Sequence, residues 1–153
     1  MSIDISAVED QKQQFITQAV NLEKVWGLHC EQGWSNADSC ELEDTVVYPF
    51  WSAEDKAKIC AVDEWSVYSP KFLHLSEFLE NWCIGMYKEY ILAGINWDPN
   101  LEGPEVDSID LALKIVQEIK KQGKELKFKL YKNQMDFEKV LLEVIEDERK
   151  SLN

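Results

Sequence analysis

Residues 24–34, KVWGLHCEQGW, set a histidine beside a cysteine between two tryptophans. Imidazole and thiolate are the side chains most often used for metal binding or for a nucleophile–base pair near neutral pH. That chemistry requires both groups on one side of the backbone. The stretch reads instead as a β-hairpin: Val25, Gly27 and His29 alternate with Trp26, Leu28 and Cys30, and Glu31, Gln32 and Gly33 supply a tight turn before Trp34. Neighbours on a strand face opposite ways, so His29 and Cys30 are poorly placed to share an ion or a proton.

The remaining candidates are sparse. His74 is the second of only two histidines, and the cysteines, Cys30, Cys40, Cys60 and Cys83, form no CxxC pair. A metal site needs three or four convergent ligands, so neither a metal nor a cofactor is expected. The six glycines make no GxGxxG or phosphate loop. Adjacent acids occur at Glu43-Asp44, Glu54-Asp55, Asp63-Glu64 and Asp147-Glu148. Such neighbours point apart and suit solvated turns or faces. No catalytic residue is assigned, and the balance leans away from an enzyme.

Charge is the strongest global signal. The formal net charge is −13: residues 1–110 hold 21 acids against 6 lysines, while residues 111–153 hold 10 bases against 8 acids. This field repels nucleic acid and anionic membrane, and the single arginine, Arg149, leaves almost no bidentate phosphate reader. No apolar run approaches the roughly 20 residues that span a bilayer. The N-terminal stretch has neither the basic nor the apolar region of a secretion signal. A cytoplasmic protein with reduced thiols is expected.

The elements that must position these side chains follow from periodicity. Val8, Phe15, Ile16, Ala19, Val20 and Leu22 predict an amphipathic helix over 7–23. After the hairpin, TVVYPFW at 45–51 predicts a strand that ends or lies at an edge at Pro49. Ser52 is a natural N-cap for SAEDKAKICAV. WSVYSPKFLHL at 65–75 predicts a strand broken at Pro70, and Ser76 a cap for a helix carrying Phe78, Leu79, Trp82, Met86 and Tyr90. ILAGINW at 91–97 predicts another strand, and Asp107 caps a helix that Gly123 ends. KELKFKLYK at 124–132 fits an edge strand or a continued helix equally, before a final helix over 134–150. The sum is an α+β fold, an antiparallel meander of about five strands packed against helices. Residues 1–122 form the domain, and 123–153 a C-terminal extension packed on it or swapped with a second copy.

Val25-Trp26-Gly27-Leu28, Gly33-Trp34, Pro49-Phe50-Trp51, Ala57, Glu64-Trp65, Pro70, Leu75, Phe78, Trp82 and Gly94 fall in an order that resembles an uncharacterised bacterial family, domain of unknown function 2750. The resemblance covers roughly residues 12–120. It implies a small α+β protein, transfers no catalytic residue and leaves the last thirty residues outside.

Two functions remain open. The first is a non-enzymatic acidic protein that binds and neutralises or regulates another protein, in the manner of an immunity protein against a basic toxin or effector. Its candidate contacts are Trp97, Glu41, Glu43, Asp44, Asp98 and Glu102. Trp97 is read either as an exposed anchor before the 98–106 loop or as simple packing. The second is an enzyme or small-molecule binder with a pocket between sheet and helices, drawing on Trp34, Tyr48, Tyr68, His74 and nearby acids. The lysines at 120, 121, 124, 127, 129 and 132 are read either as a stripe that binds an acidic surface or, preferentially, as partners of the acidic body or of a second subunit, which allows a homodimer through the C-terminal segment.

Overall fold

A computed structural model describes residues 5–151 of the chain. Helix α1 (Ile5–Leu22) buries Phe15, Ile16, Ala19 and Val20 along one face. Glu23 then takes a left-handed backbone conformation and turns the chain into strand β1 (Lys24–Cys30). Strand β2 (Gly33–Trp34) closes the hairpin through the pairs His29–Trp34 and Cys30–Gly33. Gly33 sits at φ 122°, which a side chain would strain. Strands β3 (Ala37–Asp38) and β4 (Val46–Phe50) pair antiparallel around the acidic 39–45 loop.

The α+β class holds, and most strand pairs are antiparallel. The strands divide, however, into two sheets rather than one meander of five. Strand β5 (Ser69–His74) returns to β1, giving the order β2-β1-β5. The chain then crosses over through helices, so β6 (Leu92–Ile95) lies parallel to β4, and β7 (Glu105–Val106) completes the order β3-β4-β6-β7. Reciprocal bonds between Trp26 and Trp51, N–H to O at 2.7 and 2.8 Å, join the two sheets.

Of the two strand prolines, Pro49 has the setting expected, next to the end of its strand, and Pro70 does not. Strand β4 is interior, but β3 pairs with it only as far as Val47, so Pro49 has no ladder partner in β3, and β4 ends one residue later at Phe50. Pro70 lies within β5, opposite Leu28, and the outer position of β5 tolerates the missing donor. The strand predicted over 65–75 begins only at Ser69; Trp65 instead closes a 3₁₀ turn over 63–65 that buries its ring.

The serine caps also differ. Helix α2 (Glu54–Lys58) follows Ala53 without a side-chain cap. Ser52 is buried instead, donating its N–H to Asn96 Oδ1 at 2.9 Å and its hydroxyl to Gln18 Oε1 at 2.5 Å. Helix α3 (Leu75–Glu77) starts before Ser76 and runs through a π-helical turn, Phe78–Cys83, into α4 (Ile84–Lys88). Asp107 does cap α5 (Ser108–Lys121), accepting the N–H groups of Ile109 and Asp110 at 2.8 and 3.1 Å. Gly123, at φ 71°, ends it with N–H bonds from Gly123 to Lys120 O and from Lys124 to Ile119 O. Residues 124–133 are neither strand nor helix and lead irregularly into α6 (Gln134–Ser151).

Two apolar clusters flank the sheets. The larger joins Phe15, Phe50, Phe78, Ile95, Ile115, Phe137 and Leu141 from the strands and the four long helical segments. The smaller gathers Leu28, Val47, Trp51, Ala57, Cys60, Trp65 and Trp97.

Candidate functional aromatic surface

The hairpin that separates His29 from Cys30 gives each a partner of its own. The His29 ring meets Trp34 edge-on, with centroids 4.8 Å apart, while Cys30 Sγ donates to Gln32 Oε1 at 3.1 Å. Trp34 can lie flat across β1 because Gly27 has no side chain; a Cβ there would fall 2.8 Å from the indole. Beyond it, the π-helical turn carries Trp82, whose ring centroid is 5.0 Å from that of Trp34 and 6.0 Å from that of Tyr48 on β4. π-Helical turns often mark functional segments. The result is a row, His29–Trp34–Trp82–Tyr48, of half-buried rings in edge-to-face contact, with Lys71 Nζ 5.5 Å above Trp34.

At the Tyr48 end the row opens into a pocket of about 240 Å³ lined by Tyr48, Asn81, Trp82, Gly85, Glu89 and Ile91, among others. Its lining is mainly apolar, two aromatic rings with Met86 and Ile91, joined by an amide and one carboxylate residue. Glu89 is exposed, and its carboxylate has no ion pair or hydrogen bond among the described residues. That combination suits a cation that has some apolar surface.

The six residues expected to contact a protein partner fall elsewhere. Trp97 is 4 % exposed: its ring packs over the bare backbones of Gly94 and Gly103, and its Nε1–H reaches Pro104 O at 3.0 Å. Of the two readings open for it, the exposed anchor gives way to packing. Asp98 turns inward on its own loop and accepts the N–H groups of Asn100 and Glu102 at 2.9 and 3.3 Å. Glu102 is exposed, as are Glu41, Glu43 and Asp44. The parallel register of β4 and β6 puts the 41–44 acids at one end of the pair and Asp98 and Glu102 at the other. The six residues therefore form no single patch. The 39–45 loop is tied down by Glu105, which accepts from Ser39 Oγ at 2.5 Å and Cys40 N–H at 2.9 Å.

Trp34 and Tyr48 do meet one another through Trp82, but Tyr68 meets Trp65 edge-to-face at the smaller cluster. His74, on the outer strand β5, lines a separate pocket of about 170 Å³ with Glu77, Glu80 and Lys129. Within the lysine stripe, Lys120 pairs with Glu138 at 3.1 Å and Lys124 with Glu23 at 3.8 Å. Cys60 and Cys83 are buried, and burial pushes both thiols above their ordinary range. Among the described residues no group of three or more histidines, cysteines or acids could hold a metal ion, and no helix is long and apolar enough to cross a membrane.

The sequence assigned no binding role to Glu89, or to Gly85, which entered only as one of six glycines that form no phosphate loop. The available signal was Gly85 itself, an isolated glycine inside the helical run NWCIGMYKE.

The fold and this surface define a small α+β protein with a row of aromatic rings running into an acidic-edged pocket. The chain belongs to a family described as protein of unknown function (DUF2750), whose model matches residues 12–115. No match was found among curated proteins or solved structures.

Proposed function

We propose that this is a non-enzymatic, acidic binding protein that engages and neutralises or regulates a basic protein partner, as an immunity protein engages a toxin or effector. The observation that carries the reading is the half-buried row His29–Trp34–Trp82–Tyr48 beside the unpaired carboxylate of Glu89, on a chain of net charge −13. Aromatic rings partly open to water are the anchors that hot spots favour. A surplus of negative charge speeds encounter with a basic surface and disfavours acidic competitors. The separation of His29 from Cys30 and the burial of Cys60 and Cys83 favour this reading over thiol or imidazole catalysis.

The test is capture by the purified chain at low and at several-fold higher salt, followed by an activity assay of the captured protein. The expected partner is a basic protein that salt releases and whose activity falls when the pure chain is added back. A retained set that is acidic or insensitive to salt, or a partner whose activity is unaffected, overturns the reading.

A further inference from the structure

Gly85 presents a conflict within its own helix. It lies in α4 with an ordinary helical backbone, and a Cβ built on it meets nothing within 4 Å. No turn, close approach or positive φ requires glycine there, yet glycine weakens a helix relative to alanine. By contrast, a Cβ on Gly27, Gly94 or Gly103 would fall within 3 Å of an indole, and Gly33 and Gly123 have positive φ. Glycine at 85 is thus the one whose missing side chain is left unexplained by packing or backbone. What the missing side chain does leave is open space in the pocket between Tyr48, Trp82 and Glu89.

We infer that this pocket is the seat for one basic side chain, an arginine or lysine, of the protein partner. The inference deepens the proposed function and rests on it. Tyr48 and Trp82 offer ring surface to the aliphatic stem and the delocalised charge, and Glu89 one turn after Gly85 offers the counter-charge. Asn81 adds a neutral acceptor. Gly85 leaves the room the stem needs. The wider setting has the same sign: residues 1–110, which supply every lining group, hold 21 acids against 6 lysines. A partner acid would meet Glu89 without a compensating cation in the pocket lining.

The test is a titration of the isotopically labelled chain, observed by NMR, with capped peptides bearing clustered arginines, clustered glutamines or clustered glutamates. Free arginine is a fourth probe. The expected result is that the arginine peptide shifts the Gly85 amide and the Trp82 indole N–H, and that glutamine and glutamate peptides do not. Gly85→Leu leaves the net charge unchanged and fills the space. It should weaken the arginine peptide at least tenfold while the chain melts no lower than the wild type. Glu89→Gln should weaken it several-fold and Glu89→Asp should recover part of the loss. An arginine peptide that binds Gly85→Leu as it binds the wild type, with shifts centred on Glu41–Asp44, removes the pocket but leaves a basic partner standing. No response to any basic peptide counts against the basic-partner reading as well. Free arginine binding as tightly as the peptide identifies a small-molecule site and overturns the docking role.

Discussion

Gly85 and Gly94 carry the same residue type for opposite reasons. A Cβ on Gly94 would stand 2.6 Å from the Trp97 ring, which burial and its bond to Pro104 O hold in place. Gly94→Ala is therefore expected to lose about 1–3 kcal/mol in urea unfolding, the range of overpacked cores. Gly85→Ala meets open space and is expected to gain about 0.5–1 kcal/mol, because alanine loses less backbone freedom on folding. Opposite signs in one denaturation series check both. The thiols allow a second test at this scale. Cys40 is exposed and Cys83 fully buried, with its thiol pushed up by desolvation. Iodoacetamide followed by mass spectrometry should label Cys40 in the native state and Cys83 only after denaturant is added. Trp97 belongs with the packing residues. Trp97→Ala should lose about 3–5 kcal/mol of stability, as large aromatic truncations do, and leave the response of the Trp82 indole to basic peptides unchanged under conditions where the variant is folded.

At the scale of elements, one carboxylate organises what periodicity left open. Glu80, 4 % exposed within the π-helical turn, accepts the N–H groups of Lys129 and Leu130 through Oε1 at 2.8 and 2.6 Å. Gln134 Oε1 accepts the Leu126 N–H at 2.9 Å. These side-chain acceptors take the place of a ladder or a helical bond, so KELKFKLYK is neither strand nor helix despite fitting both patterns. Glu80→Ala is expected to cost about 2–4 kcal/mol, from two lost hydrogen bonds to a charged acceptor. Hydrogen exchange at Lys129 and Leu130 should speed up before that of the core helices. The first helix, the hairpin and α5 were legible because amphipathic spacing, Gly33 and the Asp107 cap are local signals. Residues 65–68 were not. Their alternation suggests a strand, but the indole of Trp65 gains more by entering the smaller cluster through a 3₁₀ turn.

For the whole molecule, α6 is the decisive piece. Phe137 and Leu141 are fully buried and share the larger cluster with α1 and α5. A chain ending at residue 122 is expected to melt well below the full chain, since deleting one buried phenylalanine alone costs about 3–5 kcal/mol. Circular dichroism measures that loss. Sedimentation of the full chain tests the proposed homodimer through residues 123–153: a mass near 17.8 kDa counts against it, and twice that supports it.

The sequence by itself determined the α+β class, the main helices, the first hairpin and the acidic charge, because each is written in local spacing or simple composition. It also determined that His29 and Cys30 face apart. Tertiary structure decided that β6 runs parallel beside β4, that Trp97 turns inward over two glycines, and that Tyr48, Trp82 and Glu89 line one pocket. Those outcomes depend on contacts between residues distant in the chain, where packing and loop geometry, not local propensity, select the arrangement.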